Sequence, residues 1–174
     1  VKGEKSRANL LNASLALLLL GNEPKKIIDV MKNAQTPEHR MEFFFKSRNN
    51  VSFYNDSAAT IPEAASAAIL SFEKPPILIT GGTDKELDFS PLAKEAPKAK
   101  SIFLLRGSAT EHLRKLLDKK GISYFGPYND LDELLLSLKE KLQDGDEIVF
   151  SPASSSFELF KNEFDRGNSF KEKV

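Results

Sequence analysis

Three polar segments of the sequence combine hydroxyls, small residues and one lysine in a pattern that could bind an anion. They are Asn55-Asp56-Ser57-Ala58-Ala59-Thr60, Gly81-Gly82-Thr83-Asp84-Lys85 and Ser151-Pro152-Ala153-Ser154-Ser155-Ser156. Each segment follows a short apolar run and precedes a helical pattern, so N–H groups at a helix start would lie beside the hydroxyls and the Lys85 ammonium. A carboxylate or a phosphate is the ligand that such donors favour.

Each of these segments also has a purely structural interpretation. Asn-Asp-Ser and serine clusters are common helix caps, and Gly-Gly is typical of a turn. A binding site is favoured over three unrelated turns only if the fold brings the segments to the same place.

Other kinds of site are disfavoured by what the sequence lacks. It contains neither a G-x-x-x-x-G-K-[ST] phosphate loop nor a G-x-G-x-x-G fingerprint, so we do not expect the chain to bind ATP phosphates unaided. Cysteine is absent and the only histidines are His39 and His112, which argues against a metal site. We assign no catalytic residue, and we expect His112 to be an exposed helical side chain.

The elements that would position the three segments alternate along the chain. Apolar strands followed by helical patterns are typical of an α/β protein, here a Rossmann-like, mostly parallel sheet with flanking helices and an antiparallel hairpin. We predict hairpin strands at 41–46 and 51–54, further strands at 77–80, 101–105, 122–125 and 147–150, and helices at 62–72, 91–96, 110–119, 131–142 and 156–165. Parallel strands share one carboxyl edge, so the three segments should meet there.

The first part of the chain differs from the rest. Residues 6–34 have the composition of a short helical hairpin interrupted at Gly21-Asn22, and Pro37 falls in a segment that breaks the pattern. The chain begins with Val1 and has no apolar signal core. We therefore predict a piece of a longer protein, with residues 1–36 separate from a main domain at 37–174.

The balance of charged residues excludes a strong electrostatic field of one sign around the whole protein. Lysine plus arginine and aspartate plus glutamate each number 25, so the formal net charge is zero. The longest apolar run, residues 15–20, is far shorter than the roughly 20 residues of a membrane span. We expect a cytoplasmic protein with no nucleic-acid or membrane partner.

Several motifs, taken together, resemble a known family. They are His39-Arg40-Met41-Glu42, Asn55-Asp56-Ser57-x-Ala59-Thr60, Gly81-Gly82-x-x-Lys85 with Asp88-Phe89-Ser90, Ser151-Pro152-Ala153-x-x-Ser156, and Arg166-Gly167-Asn168-x-Phe170. Their order and spacing resemble the C-terminal, amino-acid-binding domain of the D-glutamate-adding branch of the bacterial Mur ligase family. The opening Gly3-Glu4-Lys5-Ser6-Arg7-Ala8-Asn9 is similar to the end of that family's central ATPase domain, so residues 1–36 would be a helical remnant of it.

The resemblance implies an ATP-dependent, amide-bond-forming ligase of peptidoglycan synthesis. With ATP and magnesium, such an enzyme phosphorylates the carboxylate of UDP-N-acetylmuramoyl-L-alanine, and the amine of D-glutamate then attacks the acyl phosphate. The partners of this chain would be these substrates and the N-terminal and central ATPase domains of the same protein. The chain alone would be inactive and would hold no cofactor.

The resemblance also implies roles for individual residues of the amino-acid seat. Lys85 would pair with a carboxylate of D-glutamate, and Thr60 and Ser156 would donate hydrogen bonds to it. Phe157 or Phe164 would supply the apolar wall over the side chain of the amino acid.

Three further residues would face the nucleotide. Asn9 matches an asparagine that contacts adenine, Asp56 would contact the ribose, and Arg40 would reach the phosphates when the domain closes. Ala58 stands where the family usually has lysine. No residue is assigned to a metal.

Two other interpretations remain open. The chain could be the C-terminal domain of another amino-acid ligase of the same superfamily, such as a folate-polyglutamating synthetase, or a stand-alone α/β binding module without catalysis. A G-x-x-G-K-[ST] loop encoded upstream would favour a ligase. A native start codon near Val1 would favour the module.

Overall fold

The chain is described by a computed structural model that covers residues 4–174, with side chains described from residue 7 onward. Residues 1–3 of the predicted helical segment, and the side chains at positions 4–6 of its opening motif, lie outside the described residues. None of the described helices is long and apolar enough to cross a membrane.

Two helices form the predicted hairpin at the start of the chain. Helix α1 spans Glu4–Leu19 and helix α2 spans Pro24–Lys32. Gly21, with φ of 84°, reverses the chain after α1, and Pro24 lies in the first turn of α2, where a missing N–H costs nothing. Ser14 of α1 donates a hydrogen bond to the sulfur of Met31 at 3.0 Å, which joins the two helices.

A six-stranded sheet forms the centre of the remaining chain. Its strands are β1 (Glu42–Lys46), β2 (Ser52–Asn55), β3 (Ile77–Thr80), β4 (Ser101–Leu105), β5 (Phe125–Tyr128) and β6 (Glu147–Phe150). The strand order is β1-β2-β6-β3-β4-β5. Strand β1 pairs antiparallel with β2, and every other neighbouring pair is parallel. This arrangement confirms the predicted mostly parallel sheet with an antiparallel hairpin.

Helices cover both faces of the sheet. They are α3 (Pro62–Ile69), α4 (Ser90–Glu95), which continues into a 3-10 turn at Ala96–Lys98, α5 (Ser108–Lys119), α6 (Leu131–Lys139) and α7 (Glu163–Lys173). Side chains alternate between the faces along each strand, so Leu78 packs under α3, α4 and α5, whereas its neighbour Ile79 packs under α6 and α7. The two cores are therefore separated by the sheet itself.

The predicted strand at 122–125 is wrong. Strand β5 begins at Phe125, and the residues before it end helix α5 instead. Gly121 adopts φ of 64°, and the N–H of Ile122 donates to the carbonyl of Leu117 at 3.0 Å. The apolar residues Ile122 and Tyr124 pack against the core from this turn, which gave the segment the composition of a strand.

The predicted helix at 156–165 is also wrong. Residues 157–162 form a turn followed by bends, and helix α7 begins only at Glu163, where the Asn162 side chain accepts the N–H of Asp165 at 2.8 Å. The reason is a tertiary contact, because Thr83 and Ser155 exchange two backbone hydrogen bonds and hold the chain extended just before the predicted helix.

Glycine is required at position 167, inside helix α7. A Cβ there would collide with Nδ1 of His39 and Oγ of Ser57. The missing side chain lets α7 pack directly against the segments that precede β1 and follow β2.

We predict that Gly167→Ala destabilises the protein by roughly 1–3 kcal/mol, because overpacking outweighs the gain of about 1 kcal/mol in helix propensity. The free energy of unfolding from urea denaturation measures the effect. Asn168→Ala, at an exposed position of the same helix, is the control and should be neutral or slightly stabilising. A Gly167→Ala variant as stable as wild type would contradict the close packing.

Candidate functional site

The three polar segments meet at one edge of the sheet. They follow β2, β6 and β3, which are neighbours in the sheet and parallel, so their carboxyl ends lie side by side. The N–H of Asp56 donates to the carbonyl of Phe150 at 2.9 Å, and the N–H of Gly81 donates to the carbonyl of Pro152 at 3.0 Å. The rim formed by residues 55–60, 81–85 and 151–156 is thus joined by backbone hydrogen bonds.

A buried arginine connects the first and the third of these segments, residues 55–60 and 151–156. Arg166 of helix α7 is 1% exposed; its guanidinium donates to the carbonyl of Ser57 at 2.7 Å and to that of Ser154 at 3.0 Å. Its Nε has no hydrogen-bond partner, and none of the described carboxylates pairs with it. Burial lowers the pKa of Arg166 to about 10, against the opposing field of Glu163. The rim therefore rests on a buried cation that forms no ion pair within the described part of the chain.

The sequence interpretation assigned Arg166 to a family motif but not to the site. An arginine in a charged segment is usually exposed, and nothing local distinguishes this one. The useful signal was its position next to Gly167, because glycine disfavours a helix interior and often marks a close approach of a neighbouring segment.

Asp56 is a second buried charged group at the rim. Its two carboxylate oxygens accept hydrogen bonds from the Met41 N–H at 3.0 Å and from the Ser151 hydroxyl at 2.7 Å. Burial raises its pKa to about 6, although the bonds from Ser151 and Met41 and the nearby Arg40 guanidinium act in the opposite direction. Asp56 thus joins the segment before β1 to the loop after β6.

Asn55 and His39 form a polar contact beside Arg166. The Asn55 amide nitrogen donates to the carbonyl of Gly167 at 3.2 Å and lies 2.9 Å from Nδ1 of His39, while its oxygen accepts the N–H of Ser57 at 3.1 Å. Because an amide nitrogen can only donate, Nδ1 of His39 is the acceptor of this hydrogen bond. The role of buried His39 here is structural, holding α7 against the rim.

The loop after β3 presents Lys85. One oxygen of the Asp84 carboxylate accepts the N–H groups of Lys85 and Glu86 at 2.8 and 2.9 Å. The Thr83 hydroxyl accepts the N–H of Glu158 at 2.9 Å, which ties this loop to the residues after Ser156. The Lys85 side chain is exposed.

The side chains predicted to contact the amino acid retain free donors. Thr60 is half-buried, Ser156 is buried and Phe157 is 68% exposed. Within residues 7–174, the hydroxyls of Thr60 and Ser156 and the ammonium of Lys85 form no hydrogen bond or ion pair with another side chain or with the backbone. Phe164, the other candidate for an apolar wall, packs edge-on against His39 at 5.7 Å between ring centroids.

The residues predicted to face the nucleotide are distributed differently. Arg40 is exposed and close enough to Asp56 to influence its charge. Asn9 is an exposed residue of α1, and no hydrogen bond among the described residues connects it to the rim. Across the described part of the chain, no group of three or more histidine, aspartate or glutamate side chains could hold a metal ion.

We predict that Arg166→Lys lowers the free energy of unfolding by roughly 2–4 kcal/mol, because one ammonium cannot span both carbonyls and remains buried. Urea denaturation at neutral pH measures the change. Arg48→Lys, the same substitution at an exposed position of the β1–β2 turn, is the control and should leave the midpoint unchanged. Equal stability of the two variants would contradict the bridging role of Arg166.

We also predict a pH dependence from Asp56. Its folded-state pKa of about 6 exceeds the ordinary value of 3.8, so the folded protein binds the proton more tightly and loses stability as pH rises from about 4 to 6. The difference corresponds to roughly 3 kcal/mol. Asp56→Asn should remove this part of the pH dependence, measured by urea denaturation at several pH values. An unchanged profile would show that Asp56 does not titrate in this range.

The chain is similar to a set of curated enzymes. A UDP-N-acetylmuramoylalanine-D-glutamate ligase of Treponema pallidum is 43% identical over 150 residues, which are 86% of this chain and 28% of that relative. The enzyme of the same name from Caldicellulosiruptor bescii is 37% identical over 100% of this chain and 38% of its own length. The chain thus spans about a third of the length of the curated relatives it matches. No family model matches it.

Solved structures have the same fold. The UDP-N-acetylmuramate-alanine ligase MurC from Thermotoga maritima superimposes with a TM-score of 0.74 over 99% of this chain and 38% of that one, at 16% identity. At such identity the likeness concerns the fold alone, whereas the curated relatives share the sequence as well. The curated relatives show that this chain belongs to the Mur ligase family.

Proposed function

We propose that this chain is the amino-acid-binding part of a ligase that adds D-glutamate to UDP-N-acetylmuramoyl-L-alanine. The observation that carries the proposal is the convergence of three loops on one rim, where the hydroxyls of Thr60 and Ser156 and the ammonium of Lys85 have no partner among residues 7–174. The names of the curated relatives support D-glutamate as the ligand.

The chemistry of the rim matches a dicarboxylate amino acid. Lys85 pairs with one carboxylate of D-glutamate, and Thr60 and Ser156 donate hydrogen bonds to it, which are charge-assisted contacts. The uncompensated cation of Arg166 below the rim adds a positive potential that is weakly screened because it is buried. The exposed ring of Phe157 covers the methylene groups of the ligand.

The activity of the whole protein is part of the same proposal. It is an ATP-dependent ligase of peptidoglycan precursor synthesis in the bacterial cytoplasm, and it uses magnesium. The sequence has no phosphate loop and the described residues have no metal cluster, so these residues do not fit a self-contained ATP–magnesium site. We therefore assign no step of the nucleotide chemistry to this chain.

The nucleotide-facing residues act when the domain closes on its neighbour. The exposed guanidinium of Arg40 is available to a phosphate, and Asp56 can accept a ribose hydroxyl on a remaining lone pair of its carboxylate. Asn9, on the helical hairpin, contacts the adenine from the other side of the boundary.

The helical hairpin, residues 1–36, belongs to the preceding ATPase domain in this proposal. Its helices and their connection expose a large share of their apolar side chains, namely Leu11, Leu15, Leu17, Leu18, Leu19, Leu20, Ile28 and Val30. An apolar surface of this kind is normally covered by protein. The main domain, residues 37–174, has two cores of its own on either side of the sheet.

An amide NMR titration of the chain with D-glutamate tests the proposed amino-acid-binding site. Shifts should cluster around Thr60, Lys85 and Ser156, and L-glutamate and D-alanine should cause weaker ones. Equal responses to all three amino acids, or shifts elsewhere, would count against the D-glutamate seat and favour a ligase for another amino acid or a plain binding module.

We predict that Lys85→Ala weakens D-glutamate binding by roughly 10- to 100-fold, the range for loss of a hydrogen bond to a charged group. The dissociation constant from the same titration measures the loss. Lys74→Ala removes an exposed lysine just before β3, at the opposite end of that strand, and should leave the affinity unchanged. Equal affinities of wild type and Lys85→Ala would exclude Lys85 from the seat.

A further inference from the structure

We infer that Asp84, held in place by helix α5, is the positioning residue for Lys85 and so sets the affinity for the incoming amino acid. The inference rests on the proposed function, because it concerns how the Lys85 loop is held for that ligand. His112 and Ser108 of α5 are the two residues that hold Asp84.

Asp84 determines the backbone path on which Lys85 lies. Its Oδ1 accepts the N–H groups of the next two residues, Lys85 and Glu86, at 2.8 and 2.9 Å. Glu86 has φ of 59°, a left-handed conformation that costs energy for a residue with a side chain. The two hydrogen bonds that the Asp84 carboxylate accepts compensate that cost. They also set the direction in which the Lys85 side chain extends from the loop.

Asp84 is in turn fixed to the first turns of α5. Its Oδ2 lies 3.2 Å from Nδ1 of His112, and its backbone N–H donates to the Ser108 hydroxyl at 2.9 Å. The Ser108 hydroxyl and N–H both donate to the carboxylate of Glu158. One network therefore links the Lys85 loop, the start of α5 and the segment that carries Ser156 and Phe157.

Helix α5 is a rigid support for this network. Leu113 and Leu117 are buried in the core, and the hydroxyl of buried Thr110 donates to the carbonyl of Leu105 at 2.6 Å. The same hydroxyl accepts the N–H of Gly82 at 3.2 Å, just before the Lys85 loop. The loop is thus anchored at its start by Thr110 and at Asp84 by His112 and Ser108.

A local role and a general role in stability can be separated here. The His112 side chain is 54% exposed, and exposed contacts between polar or charged side chains contribute little to the free energy of unfolding. Loss of the pair should therefore loosen the Lys85 loop without unfolding the domain. His112, which the sequence indicated only as an exposed helical residue, acquires a role through this contact.

Steady-state kinetics of the full-length protein that carries this chain test the inference. Asp84→Ala removes the acceptor and should raise KM for D-glutamate roughly tenfold or more, and His112→Ala should raise it roughly three- to fivefold. Asp84→Asn keeps an oxygen that accepts both N–H groups and should stay within about twofold of wild type. The KM for the nucleotide should not change in any of these variants, and the increases in KM for D-glutamate should not follow the changes in the unfolding midpoint.

Two reference variants make the result decisive. Lys115→Ala removes an exposed cation one turn further along α5 and should leave KM for D-glutamate unchanged. If Lys85→Ala itself leaves that KM unchanged, the proposed function fails and the inference fails with it. If Lys85→Ala raises KM but Asp84→Ala and His112→Ala do not, only the positioning role is overturned. It is also overturned if Asp84→Asn is as impaired as Asp84→Ala, or if the losses follow the unfolding midpoint.

Discussion

The guanidinium of Arg166 lies between the loop that follows β2 and the loop that follows β6, and it donates to one backbone carbonyl of each. Burying a cation without a carboxylate partner is costly, so the surrounding structure must supply acceptors and close packing. Gly167 lets α7 come near enough for Arg166 to reach both carbonyls, and Asn55 holds that same turn through the Gly167 carbonyl. The arrangement of the rim therefore depends on the contacts of Arg166, Gly167 and Asn55 forming together.

One consequence is that the rim behaves as a unit. Arg166 joins the first and third polar segments, and the paired backbone hydrogen bonds between Thr83 and Ser155 join the second to the third. The free donors of Thr60, Lys85 and Ser156 are therefore carried on a preorganised support. A ligand that binds such a support loses less free energy to ordering the protein than one that binds mobile loops. The buried positive charge below also biases the rim toward anions before any ligand arrives.

Asp56 and Asp84, the two aspartates of the rim, have different roles because their environments differ. Asp56 is buried, has a raised pKa and joins the entry to β1 with the loop after β6. Asp84 follows β3 instead of β2, reaches solvent, and organises the loop of Lys85 through its side-chain carboxylate, which accepts backbone N–H groups. The fold that supports both is shared with a ligase only 16% identical.

The amino-acid sequence by itself determined the buried strands, the polar segments that follow them and the family. Strands Ile77–Thr80, Ser101–Leu105 and Glu147–Phe150 have the bounds predicted from their composition, because parallel strands covered on both faces are short continuous apolar runs. The motif order identified the family, although the roles of Thr60, Lys85, Ser156, Phe157, Asn9, Arg40 and Asp56 remain predictions. Only the tertiary structure decided that β6 lies between β2 and β3, that α7 starts at Glu163, and that Arg166 is buried. Those features depend on contacts between residues far apart in the chain, such as Thr83 with Ser155 and Ser57 with Arg166, and local composition carries no record of such contacts.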